Sequence, residues 1–289
     1  FFKQKTAYEI STRDWSSDVC SSDLARMRSV IVCEGRDDLW FIGYYLYKVL
    51  HWEECKPKLW CTAYLPNVTS GQRTLYMSSP DKYNRVLIFS SGGQDNIKAL
   101  LDDWIDLNEK NPSSAIDSIV IFRDCDDRPP DELAHTMEAW FSNHKAWLPD
   151  HFALKNNEPL RIQKEIDEID VVTTILPVLI PFDESGAIET LLLKSIEDSG
   201  KEGAYVAQSA RSYIDSAKDN VFPRYLNKQR LFTKAKYSAA IAITNPDHST
   251  GTFKDFMLST PWDESASIKD HMKKVVQLIT GQLDPTHTR

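Results

Sequence analysis

Residues Ser118 to Asp127 read SIVIFRDCDD: four apolar, mostly β-branched residues, Ile119-Val120-Ile121-Phe122, that deliver a cluster of carboxylates, Asp124, Asp126 and Asp127. Such a run predicts a buried strand ending on the carboxyl edge of a parallel sheet, where open α/β folds place their sites. Asp124 and Asp126 project to one side if the chain stays extended. Two carboxylates pressed together repel unless a cation neutralises them, so an unpaired D-x-D invites a hard divalent metal. The competing reading is a solvated loop with Asp-rich turn chemistry ahead of Pro129-Pro130.

A second apolar run, Ser29 to Cys33, ends in Glu34-Gly35-Arg36-Asp37-Asp38 before an amphipathic stretch, Leu39 to Leu50. This is strand, acidic turn, helix, with Asp37 or Asp38 able to cap the helix. Further on, Arg85 to Phe89 predicts a strand and Asn96 to Asn108 a helix, with Gly92-Gly93 between them. The helix carries Ile97, Leu100, Leu101, Trp104 and Ile105 on one face. Glycines there either let backbone approach a phosphate or serve a tight turn. Asp131 to about Lys145 predicts another helix, on which His135 and His144 read as surface histidines. Val171 to Pro181 predicts the last central strand, with Pro177 favouring an edge or a bulge. Asp183 to Glu189 then opens a helix through Leu191, Leu192 and Ile196. Glu189 is either a site residue or a first-turn acid favoured by the helix dipole.

The remaining segments carry weaker signals. Lys58 to Tyr64 predicts a strand, Val68 to Tyr83 a surface insertion, and His151 to Asp170 an irregular charged segment. Beyond Ser199 the spacing turns helical at Ala204 to Ala217, Leu231 to Ile243 and Ile268 to Leu283, with a short helix over Phe253 to Leu258. A lysine pair, Lys234 and Lys236, reads first as a solvated helix face.

VIVCEGRDD followed by IFRDCDD resembles the Toprim domain of primases, topoisomerases and OLD-type nucleases. That resemblance implies an α/β fold: a Rossmann-like Toprim core with a mainly parallel central sheet flanked by helices, plus a helical C-terminal subdomain. Together with the leader and the helical spacing beyond Ser199, the expected boundaries are 1–28, 29–195 and 196–289. Glu34 would act as general acid/base or metal ligand, and Asp124 and Asp126 would hold magnesium or manganese. The G-x-x-E at Gly186 to Glu189 looks like the third acidic element of stand-alone Toprim families, so Asp38 and Glu189 would form a second cation position. Gly93 matches a glycine turn near such sites, and Lys234 and Lys236 resemble a basic position that contacts phosphate. The implied activity is metal-dependent nuclease chemistry on DNA or RNA. The alternatives are a non-catalytic Toprim-like module of a phage-defence or repair assembly, and a phosphatase or phosphotransferase using the D-x-D. In that last class the D-x-D belongs on the first core strand, whereas here the first strand ends in Glu34.

Residues 1–24 have no sustained period, lack a signal-peptide core and resemble a translated sequencing adaptor. They are expected to be a non-native, disordered leader, with Met27 near the first usable start. The full sequence has a globular composition, 42% hydrophobic and 11% aromatic. With 34 Lys+Arg against 42 Asp+Glu, the net charge of −8 argues against a broad electrostatic footprint for nucleic acid. A bound cation reverses the local field, so an acidic site still engages phosphate. Cys33, Cys55, Cys61 and Cys125 form no CxxC and read as reduced thiols, which points to the cytoplasm. No run of about 18 apolar residues occurs, so no membrane span is expected. No G-x-x-x-x-G-K-[ST] occurs, so an ATPase of the kind that accompanies Toprim in OLD proteins would act in trans.

Overall fold

The structure is a computed structural model that describes residues 28–57, 71–149, 151–220, 225–246, 257 and 262–283. The expectations for residues 1–27, for the strand at Lys58 to Tyr64 and, apart from Met257, for the helix at Phe253 to Leu258 lie outside the described residues.

Alternation of side chains along a strand sends successive residues to opposite faces. The apolar runs therefore need cover on both sides, and they receive it. Strand β1 (Arg28–Cys33) pairs parallel with β4 (Arg85–Ser90) on one side and with β5 (Ser118–Asp124) on the other. Strand β5 in turn pairs parallel with β7 (Ile169–Ile180). Three antiparallel strands, β2 (Glu53–Glu54), β3 (Arg73–Ser78) and β6 (Leu160–Ile166), complete a seven-stranded sheet of order β2-β3-β4-β1-β5-β7-β6.

Ile31, Val120, Phe122, Leu176 and Val178 face one side, against α1 (Arg36–Leu50), α4 (Ile188–Asp198), α5 (Lys201–Asn220), α6 (Gln229–Thr244) and α7 (Ala266–Ile279). Val30, Val32, Ile119, Ile121 and Leu179 face the other, against α2 (Gln94–Lys110), α3 (Pro130–Glu138) and a 3-10 segment, Ala139–Trp147. The C-terminal helices share one apolar cluster with the sheet, Leu192 and Ile196 of α4 lying with Val275 and Ile279 of α7. Among the described residues no helix is long and apolar enough to cross a membrane.

Several local expectations are corrected. The insertion expected at Val68 to Tyr83 contains β3, whose Leu75 and Met77 are buried while Arg73 stays exposed. Only two apolar positions carry that alternation, and the polar neighbours conceal it. The irregular segment expected before Asp170 contains β6, joined to β7 by a two-residue turn at Asp167-Glu168, both at positive φ. That turn lacks the Asn-Gly or Asp-Gly pair that usually marks such a hairpin. Pro177 lies within β7, with β5 on one side of that strand and β6 on the other. Its carbonyl accepts from Asn157 N (2.8 Å) beyond the start of β6, so the missing N–H falls where the ladder has no partner. His144 is not a surface residue: the 3-10 segment turns it inward, and its Nε2 lies 2.9 Å from Asp102 Oδ1 on α2.

Glycine decides one helix contact behind the site. A Cβ on Gly203, at the start of α5, would drive into the Ile196 carbonyl of α4 closer than any real contact. A Cβ on Gly43 meets only the mobile end of the Leu75 side chain. Gly203→Ala is expected to cost about 2 kcal/mol and Gly43→Ala visibly less, because backbone cannot rotate away. Urea midpoints of the two variants measure this; equal costs would contradict the close α4–α5 approach.

Candidate active site

Each acidic residue of the site sits where a strand hands over to a helix. Strand β1 ends at Cys33, and Glu34-Gly35 turn the chain into α1. Asp38, at the third helical position, accepts a hydrogen bond from Gly35 N (2.9 Å), which pins its carboxylate back over the turn. The residue is 4% exposed. Burial pushes its pKa up to about 7, the Gly35 bond opposes the rise, and the charges of Glu34, Asp37 and Glu189 add to it.

Strand β5 delivers Asp124 at its last position, and Asp124 Oδ1 accepts from Ile188 N (2.9 Å), the first residue of α4. One carboxylate thus ends a strand and caps a helix from a distant part of the chain. Burial and the nearby Asp38 and Glu189 hold its pKa well above the usual carboxylate range. The extended geometry expected for the D-x-D does not hold. Asp126 adopts φ 50, in the left-handed region that Asp tolerates, and its N donates to Gly186 O (2.7 Å). Gly186 itself has φ 154, and a Cβ there would lie 2.6 Å from Thr190 Oγ1. Only glycine lets this loop close on Asp126.

Glu189 lies in the first turn of α4, 6% exposed. Its Oε1 accepts from the Lys234 ammonium on α6, while its Oε2 is buried without a hydrogen-bond partner. Glu34, Asp37, Asp38, Asp124, Asp126 and Glu189 all line one cavity of about 360 Å³ at the carboxyl edge of the parallel strands. Arg36, Arg230 and Lys234 line it too, so six acids face three bases. Burial first, then this crowding, raises the pKa of Glu34 and Asp126 as well, against the opposing charges of Arg123 and Arg230.

Of the residues expected from sequence, Glu34, Asp38, Asp124, Asp126, Glu189 and Lys234 are brought together. Gly93 and Lys236 are not among the residues lining the cavity. Gly93 sits at φ 139 as the N-cap of α2, and it is Gly92 N that reaches Glu34 O (3.1 Å). Lys236 is two residues beyond Lys234, about 200° round the helix. It pairs instead with Asp215 of α5 (2.8 Å).

The profile of a family described as "Protein of unknown function (DUF3226)" matches residues 28–279. The chain belongs to the DUF3226 family. The hypothetical protein PH0156 from Pyrococcus horikoshii OT3 is similar in structure, with a TM-score of 0.50 at 15% identity over 88% of this chain and 95% of that one. At that identity the likeness concerns the fold alone. No curated protein matches the chain.

Sequence reasoning missed Arg123 and Arg230 of this DUF3226 chain. Arg123 precedes Asp124 on β5 and therefore points to the opposite face, 5% exposed. Its guanidinium donates to Gln94 Oε1, lies 5.4 Å from the Trp140 ring centre, and its Nε stands 3.7 Å from Glu34 Oε2. The register Cys33↔Phe122 makes Glu34 and Arg123 neighbours across β1 and β5. A charge inside an apolar strand needs a partner, and that was the available signal. Arg230 stands one helical turn before Lys234 and faces the same cavity.

The donor set suits a hard cation: oxygen ligands only, crowded together, with Asp38 and Glu189 buried and Glu189 Oε2 without a hydrogen-bond partner. Among the described residues, however, no group of three or more His, Cys, Asp or Glu side chains stands ready to hold a metal ion. Two of the carboxylates are already engaged by bases, Glu34 by Arg123 and Glu189 by Lys234.

Proposed function

We propose that this chain is a divalent-cation-dependent phosphodiester hydrolase with a Toprim-like core, acting on DNA or RNA. The observation that carries the reading is the convergence of six carboxyl groups from three strand–helix junctions on one cavity, twice the number of the bases that line it. Asp124 and Asp126 would hold magnesium or manganese, with Glu34 either ligating the ion or serving as general base, and Asp38 with Glu189 would form a second position. The cation would supply Lewis acidity toward a phosphoryl oxygen. Glu34, with its pKa raised by burial, is suited to take a proton from an attacking water. Arg230, exposed at the rim, presents a planar guanidinium that fits a phosphate group.

A second reading, a non-catalytic binding module that works with an ATPase in trans, draws on the two pairs Arg123–Glu34 and Lys234–Glu189. Those bases offset part of the charge that would call for a metal. Incubation of the purified chain with plasmid DNA and with single-stranded RNA separates the two. Hydrolysis is expected with Mn²⁺ or Mg²⁺, lost in excess EDTA and restored by added Mn²⁺. Hydrolysis that persists in EDTA, or a chain that takes up no Mn²⁺ and cuts nothing, would overturn the enzymatic reading.

A further inference from the structure

We propose that Lys234 is a displaceable internal cation: its ammonium occupies Glu189 while the cavity is without a divalent ion and is expelled when such an ion binds. This inference rests on the reading that the cavity takes a divalent cation, and it adds a competitor that the fold itself supplies.

Glu189 is almost wholly enclosed. A carboxylate 6% exposed on the first turn of α4 requires a counter-charge, and Lys234 supplies one to Oε1 while Oε2 is left without a hydrogen bond. Burial works against the ammonium. The hydrogen bond to Glu189 and the charges of Glu189, Asp37 and Asp124 outweigh it, and the lysine's pKa is raised. The same ammonium therefore acts on both α1 and β5 acids, where a metal shared by those elements would act. An ammonium and a divalent ion within one small cavity repel, so each weakens the other's hold on Glu189.

The exchange is mechanically easy. The Lys234 side chain is 43% exposed on a flexible four-carbon stem, so it can swing to the rim beside Arg230 without repacking α6. Glu189, 8% exposed in its side chain, stays. Withdrawal of the ammonium frees both oxygens of Glu189.

Calorimetric titration with MnCl₂ alone tests the idea on the full chain. Lys234→Met keeps the stem and removes the charge, and it is expected to bind Mn²⁺ about tenfold more tightly than wild type. Lys234→Arg keeps the charge and should bind as wild type does. A thermal melt gives a second readout: without cation, Lys234→Met should melt below wild type, and Mn²⁺ should raise its midpoint by more. If wild type binds Mn²⁺ and Lys234→Met binds equally or more weakly, the internal-cation role is overturned while the cation site stands. If neither chain binds Mn²⁺, the cation reading falls and takes this inference with it.

Discussion

Asp124→Asn is expected to abolish cation-dependent cleavage while making the cation-free protein more stable. Asp124 sits nearly buried at the end of β5, its pKa well above the normal range through burial and the charges of Asp38 and Glu189. The asparagine carbonyl can still accept from Ile188 N, which holds the start of α4. What the variant removes is the buried charge, which costs stability when unpaired and which a divalent ion would need. The thermal midpoint without cation should therefore rise by roughly 3 °C, on the order of 1 kcal/mol for a chain of this size. Cleavage should fall by about 10²-fold or more, the scale of losing one charged contact to the reacting centre. Activity assays and melts on the same preparation give both signs at once. A variant that cuts at the wild-type rate would remove Asp124 from the mechanism, and one that melts lower would contradict the account of its charge.

The second large effect is on stability against pH. Asp38 titrates in the folded chain at about 7 against an ordinary 3.8, so the folded state keeps a proton that the unfolded chain gives up across that window. Stability is therefore highest toward the acid end of the window and falls as pH rises from about 4 to 7, after which the loss is complete. Glu34, Asp37, Asp124 and Asp126 are shifted in the same direction and deepen the fall. His271 works the other way, since burial lowers its pKa and its protonation at low pH opposes folding. Asp38→Asn isolates the carboxylate from that background. Asparagine can still accept from Gly35 N and has no proton to exchange, so the slope of melting temperature against pH between 5 and 7.5 should flatten. The single site is worth a few kcal/mol at most. Mn²⁺ added at pH 8 should restore much of the lost stability by supplying the missing positive charge. A wild-type midpoint that climbs steadily from pH 5 to pH 8 without cation would show that these carboxylates are not crowded as described.

The parts of this molecule that were legible in its sequence are those where one signal dominates. SVIVC, RVLIF and SIVIF are buried on both faces and read as continuous apolar runs, so the parallel centre of the sheet and the acids at its edge could be placed. The edge elements could not. In β3 the alternation rests on Leu75 and Met77 among polar neighbours, and in β6 Leu160, Ile162 and Ile166 alternate with polar residues while Lys164 interrupts the apolar face. The site acids were legible because each follows such a run or opens a helix. Their partners were not, because Arg123–Glu34 depends on which strands are neighbours and Lys234–Glu189 on how α6 packs against α4. The left-handed turn at Asp126 also escaped: two aspartates two apart read as co-directional until the hydrogen bond to Gly186 bends the chain between them.

Crystals grown in MnCl₂ and measured at the manganese absorption edge should show an anomalous peak within the cavity, ligated by Asp124 with at least one of Glu34, Asp126 and Glu189, and the Lys234 ammonium turned out toward Arg230. A cavity without an anomalous peak at saturating Mn²⁺, with Arg123 and Lys234 still on Glu34 and Glu189, would contradict the cation reading.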